Sequence, residues 1–349
     1  MSAPSHRGVA DGTLWVMPEA PPPLSFDASH LGEALLPALR DACGGRLGPV
    51  EVFRSPFQHG GAMTGFSTWE RDDGSRTKVM VKLPVGAIEH RWGVALGSYE
   101  HGRFECDEAI CCPVPRVLAS GTSVGGYDFA WIVVERLSSP GVISRPEEKH
   151  VHEILETLVE FQARAAAVPL EAAKKSPDWE KLLERSRDAA RNGIVEDSRH
   201  WSEAVHRVQR VLPLLRARWE GRAVNAWCHG DLHLGNLLHR ATSDGPQSQS
   251  VLVDLALVHS GHWVEDAIYF ERQYWGHSEL LKGVKPASEL ARLRRERGLN
   301  ANDNYPELAN VRRVLMAACV PAAAEREGNA KYVAAALELL ERLLPQVSK

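Results

Sequence analysis

The hydrophobic period of this chain changes once, between Leu137 and Glu147, and that change limits the folds open to it more than any other feature. From Val50 to Leu137 short apolar runs alternate with polar residues, as in half-buried strands; from Glu147 onward apolar residues recur at helical spacing. Val50 to Arg54, Gly65 to Glu70 and Lys78 to Leu83 read as strands, and Asp73-Gly74 between the last two is a hairpin signal, because both residues tolerate positive φ. These three predict an antiparallel meander. A helix over Val94 to Glu108 is expected next, ended by Pro113 and Pro115, with a strand after Pro115-Arg116-Val117-Leu118 and another over Phe129 to Val134. Further on, Val151, Ile154, Leu155, Leu158 and Val159 share one helical face, as do Val205, Val208, Val211, Leu212 and Leu215. Between Trp227 and Asp254 the short pieces Leu237-Leu238 and Val251-Leu252-Val253 flank the polar loop Thr242 to Ser250, which predicts a second hairpin set among helices.

At 349 residues the chain exceeds the usual size of one compact domain. The expected organisation is α+β and bilobal: a flexible lead-in over 1–25, a β-rich N-lobe over 26–137 and a mainly helical C-lobe over 138–349. The lead-in carries Pro18 and Pro21-Pro22-Pro23 and lacks an apolar core of signal-peptide length. No apolar run is long enough to cross a bilayer, and the longest, Val314 to Ala324, reads as a buried helix. A net charge of −4 supplies no general attraction for nucleic acid. The six cysteines include no CxxC pair, and adjacent Cys111-Cys112 cannot easily form an ordinary disulfide, so the thiols are read as reduced in a cytoplasmic protein.

The chemistry concentrates in Cys228-His229-Gly230-Asp231-Leu232-His233-Leu234-Gly235-Asn236, where an acid and an amide share one turn before a strand. Asp254 ends the next apolar strand, so the hairpin can return it beside Asn236. Phosphoryl transfer needs metal to neutralise phosphate charge and an acceptor held in line; an amide oxygen and a carboxylate suit magnesium, while a second carboxylate can orient and deprotonate a hydroxyl.

With its His-Gly-Asp, four residues, Asn, then a later Asp ending a strand, the sequence resembles the aminoglycoside phosphotransferase and choline kinase family, whose fold is protein-kinase-like. The resemblance runs in order over residues 50 to 275. It implies Asp231 as catalytic base, Asn236 and Asp254 as ligands of Mg²⁺, His229 as a brace of the catalytic loop, and Asp266 as a structural aspartate starting the next helix. It further implies ATP as phosphoryl donor and a small hydroxylated acceptor such as an aminoglycoside, amino alcohol or sugar. Kinase-like sites also need a glycine-containing hairpin over the phosphates and a lysine from the third strand. Ser55 to Gly65, with Gly60-Gly61 at its centre, and Lys82 on Val79-Met80-Val81-Lys82 take those places; Glu100, or else Glu105, is the expected partner of Lys82, and the backbone of Glu135 to Leu137 is expected near the adenine. Asp254 is followed by Leu255-Ala256, whereas many relatives carry an aromatic and an acidic residue there, which argues against narrowing the acceptor to an aminoglycoside.

Two rival readings stand beside this one. His229, His233, Asp231 and Asp254 form the residue set of a metal-dependent hydrolase, although a turn containing Gly230 and Gly235 is not the continuous helix such ligands usually occupy. A nucleotide-binding regulator without transfer activity is the other. A P-loop is excluded: Gly60 and Gly65 have its spacing, but Phe66 stands where that motif needs lysine.

Overall fold

The computed structural model describes residues 28–53, 63–98, 112–138, 146–241, 248–324 and 329–349. Helices α1 (Ala28–Ala34) and α2 (Leu36–Ala42) precede strands β1 (Glu51–Phe53), β2 (Met63–Glu70) and β3 (Arg76–Leu83). Helix α3 (Ala87–Gly97) follows, and β4 (Val117–Gly121) and β5 (Trp131–Glu135) complete a five-stranded antiparallel sheet in the order β1-β2-β3-β5-β4. The β2–β3 turn forms where Asp73-Gly74 predicts it. Gly74 takes a φ of +77°, and the Asp73 carboxylate accepts the Ser75 N–H at 2.8 Å.

Alternation on β3 decides where its side chains go. Val79, Val81 and Leu83 are fully buried against Leu39, Leu47, Met63, Trp69, Trp131 and Val133, so Lys82 projects from the opposite face. That face is closed by α3, which begins before the helix expected over Val94 to Glu108 and shares Val94 to Gly97 with it; residues 99–111 lie outside the described residues. Trp92 of α3 meets Trp227 edge-on at 4.5 Å between ring centres and joins the core of the helical part.

The rest of the chain is mostly helical: α4 (Glu148–Ala165), α5 (Trp179–Arg191), α6 (Ser198–Glu220), α7 (Val264–Arg272), α8 (Pro286–Glu296), α9 (Tyr305–Ala318) and α10 (Ala330–Val347). Along α6, Trp201, Val205, Val208, Leu212, Leu215 and Trp219 follow helical spacing and are all buried. Each such side chain contributes about 1.5–3 kcal/mol relative to exposure. Two small antiparallel pairs sit among these helices, β6 (Ala226–Cys228) with β9 (His259–Gly261) and β7 (Leu237–Ala241) with β8 (Ser248–Leu252). Among the described residues, no helix is long and apolar enough to cross a membrane.

Candidate active site

The loop from His229 to Asn236 leaves β6 at Cys228, which lies opposite His259 of β9. At Gly230 the backbone takes a φ of +86° and presses on the Leu255–Leu257 turn: a Cβ there would stand 2.3 Å from the Leu257 carbonyl oxygen. Asp266 of α7 fixes this approach by accepting the N–H groups of His229 at 2.8 Å and Gly230 at 2.9 Å. His229 is fully buried, and burial lowers its pKa. The neutral ring donates from Nε2 to the Val253 carbonyl at 3.0 Å and accepts the Asp231 N–H at Nδ1 at 3.3 Å, tying the loop to the end of β8.

The Asp231 carboxylate accepts the Tyr269 hydroxyl at 2.6 Å through Oδ1, and its Oδ2 lies 3.7 Å from His233 Nε2. Burial pushes Asp231 upward, but the hydrogen bonds and charge from His233 and Tyr269 outweigh it and hold the carboxyl below its ordinary value. Asn236, on the short turn Leu234–Asn236, donates Nδ2 to the Asp231 carbonyl at 2.9 Å. Its own carbonyl accepts the Val253 N–H at 2.9 Å, and this bond closes the β7–β8 hairpin so that Asp254 follows immediately beside it. Asp254 is exposed and adopts the left-handed conformation (φ 63°), which aspartate tolerates better than most residues.

Lys82 pairs with Glu89 of α3 at 2.5 Å. Burial alone lowers the Lys82 pKa, yet the Glu89 carboxylate, with a further contribution from Asp254, raises it above the ordinary value, so the residue is an ammonium. The side chains of Asn236 and Asp254 offer oxygen donors only, a set that fits a hard cation such as Mg²⁺.

The other predicted positions fall as follows. Gly60, Gly61 and Glu100, with Glu105, lie outside the described residues. Glu135 directs its N–H to the Arg116 carbonyl at 2.9 Å and its carboxylate to Arg240 of β7, at 2.5 Å from Nη2, in a clamp between the sheet and the helical part. Leu137 is half-buried, and no hydrogen bond to its backbone occurs among the described residues; Ser138 and His239 then exchange backbone bonds at 2.9 Å. The hydrolase set does not converge. Both His229 nitrogens are engaged, and among the described residues the one group able to surround a metal is Cys228, His259 and Glu265, where Glu265 is already paired with Arg222 at 3.0 Å.

Sequence reasoning missed Glu89 and Tyr269. Tyr269 had a signal, since it lies one turn beyond Asp266 on the same helix face. A cavity of about 600 Å³, bordered by Gly230, Asp266 and Tyr269, opens beside the loop. That volume is typical of small-molecule sites.

A profile of the phosphotransferase enzyme family matches residues 106–309, a stretch that contains the loop, Asn236 and Asp254. A sequence comparison with curated proteins returns no match. Among solved structures, the aminoglycoside phosphotransferase from Alicyclobacillus acidocaldarius subsp. acidocaldarius DSM 446 is similar with a TM-score of 0.50 at 15% identity, over 85% of this chain and 91% of that one. The microcompartment-associated aminopropanol kinase gives 0.51 at 16% identity, over 86% and 94%. These likenesses bear on the fold, and with the sheet and helical part described above they identify it as the two-lobed, protein-kinase-like α+β arrangement. The profile spans more than half of the sequence, so the chain belongs to the phosphotransferase enzyme family.

Proposed function

We propose that the protein is an ATP- and Mg²⁺-dependent kinase that phosphorylates a hydroxyl of a small molecule. The observation that carries this reading is the convergence of Asp231 with Asn236 and, across the hairpin, Asp254, in a chain whose Lys82 is held as an ammonium by Glu89. ATP would be held between the N-lobe (26–137) and the C-lobe (138–349), its phosphates assigned to Gly60-Gly61 and its base to the backbone of Glu135 to Leu137. Mg²⁺ held by Asn236 and Asp254 neutralises charge on the phosphate oxygens when bound. Lys82, kept in place by Glu89, binds the phosphates of the donor. Asp231, ionised and oriented by Tyr269, accepts the proton of the acceptor hydroxyl as the phosphoryl group moves. The buried free thiols Cys43, Cys228 and Cys319 accord with a reducing, ATP-rich cytoplasm.

An ATP-consumption screen across small alcohols, with Asp231→Asn as the blank, tests the proposal. Asp231→Asn is expected to lower turnover by about 10²–10⁴-fold while retaining nucleotide binding. Unchanged turnover in that variant refutes the assignment. Nucleotide binding without product across the screen favours the regulator.

A further inference from the structure

The cavity beside the catalytic loop is lined by cations. Lys174, Lys175, Lys181 and Arg185 stand exposed at its edge, while Arg222 and Arg312 lie deeper. Lys181 and Arg185 come one turn apart on α5, so both reach the same side of the opening. The acidic residues of the lining are Asp178, Glu265 and Asp266, and each is occupied within the protein. Asp178 caps α5 by accepting the Lys181 N–H at 3.0 Å, and Asp266 holds the loop amides. Glu265 accepts Arg222 at 3.0 Å and the His262 N–H at 2.8 Å.

Arg312 of α9 is different. Its guanidinium packs over the ring of Trp219 at 4.8 Å and that of Trp179 at 5.5 Å. Its Nε is out of solvent contact with no hydrogen-bond partner, and among the described residues no carboxylate forms an ion pair with it. Glu265 acts on it only through its field. Lys174, Lys175 and Arg185 likewise form no ion pair among the described residues. Fixed positive charge in a concave site with aromatic walls raises the local concentration of anions and repels cations.

We infer that the acceptor is a hydroxylated anion, bearing a carboxylate or phosphate group that Arg312 and the basic edge of α5 hold while its hydroxyl faces Asp231. This rests on the phosphotransferase reading for the role of the hydroxyl, and on the cavity alone for the anionic group. Leu182 and Met316 supply apolar wall beside the charges, so an acceptor with a short aliphatic body fits better than a bare polyol. A polycationic amino sugar meets six basic side chains and no unengaged carboxylate.

A panel of hydroxylated compounds, matched as carboxylate against methyl ester, phosphomonoester against parent alcohol, and amino sugar against neutral sugar, is tested for binding to the whole protein with Mg-ATP present, by calorimetry. Hits are expected among the anions. Arg312→Met should weaken them by about tenfold or more, the size of a charge-assisted hydrogen bond. Arg185→Ala and Lys175→Ala, exposed positions that leave folding intact, should each weaken them by about two- to threefold, with the effect shrinking at high salt. Whether carboxylates or phosphomonoesters bind names the anion. Binders restricted to neutral or cationic members, no binder at all, or anion affinity unchanged in both Arg312→Met and Arg185→Ala overturns the inference. Phosphorus NMR on the same samples keeps the two readings apart: anions that bind but are never phosphorylated refute kinase activity and leave the cavity assignment standing, whereas phosphorylated neutral or cationic acceptors do the reverse.

Discussion

Replacing Gly230 with alanine tests the geometry of the catalytic loop without assuming any substrate. Two costs add. A residue with a Cβ held at a φ of +86° is strained by about 1–2 kcal/mol. The new Cβ would also lie 2.3 Å from the Leu257 carbonyl oxygen, more than about 1 Å inside an ordinary contact. Because that oxygen belongs to backbone, relief requires moving the loop or the Leu255–Leu257 turn, which costs a further ~1–3 kcal/mol. The total of about 2–5 kcal/mol corresponds to a fall in Tm of about 3–7 °C for a chain of this length. Gly74→Ala is the internal control. Its φ is +77°, but nothing lies within 4 Å of the added Cβ, so only the strain applies and the fall should be about 1–3 °C. Differential scanning calorimetry of both variants gives the comparison. Once an acceptor is in hand, Gly230→Ala should also lose about 10²-fold in kcat, because a displaced loop carries Asp231 with it. A Gly230→Ala protein that melts no lower than Gly74→Ala would refute the reasoning.

Tyr269→Phe removes the 2.6 Å hydrogen bond that helps hold Asp231 below its ordinary pKa, so the carboxyl should rise. As the proposed base, Asp231 acts when ionised and loses function as pH falls through its folded pKa; the acidic limb of kcat/KM should therefore move to higher pH, and an unmoved limb counts against Tyr269 as its partner. In Glu89→Gln, Lys82 keeps its burial but loses the carboxylate that raises its pKa. The lysine's favourable pairing is present at low pH and lost as pH rises through the folded value, so the alkaline limb should shift to lower pH and the KM for ATP should rise about tenfold, both read from steady-state kinetics. Arg240→Met leaves the Glu135 carboxylate unpaired where the lobes meet and should cost about 3–5 kcal/mol in urea unfolding, with part of the loss recovered by adding Glu135→Gln.

The parts of this structure that sequence foretold are those whose cause is local. Asp73-Gly74 specifies its hairpin through backbone preference, and the spacing from Asp231 through Asn236 to Asp254 survives because a short loop and one hairpin connect the three. The start of α3 at Ala87 was missed for a physical reason. Its inward face is Trp92, Gly93, Leu96 and Gly97, and the glycines sit where a Cβ would meet Ile132 at 2.8 Å and the Pro115 carbonyl at 2.3 Å. Close packing of this kind needs glycine, yet glycine carries no hydrophobic signal and lowers helix propensity. With the helix starting at Ala87, Glu89 is placed to reach Lys82. Arg240 was hidden by distance: a charged residue inside a strand reads as solvated, and its partner Glu135 is 105 positions away.

Helix α7 makes the cavity and the loop that carries Asp231 a single mechanical unit. Within little more than one turn, Glu265 fixes Arg222 at the cavity, Asp266 holds the loop amides, and Tyr269 orients the Asp231 carboxylate. The opposite face is immobilised by Val264, Ala267, Ile268 and Phe270, all fully buried. Any substitution that rotates α7 to reshape the cavity therefore also moves Asp231, and on the proposed assignment gains in acceptor fit are offset by losses in transfer. Arg312 on α9 and the basic edge formed by Lys175 and Arg185 border the cavity from elements other than α7. On the proposed assignment, acceptor preference can diverge at those positions with less effect on transfer than changes in α7.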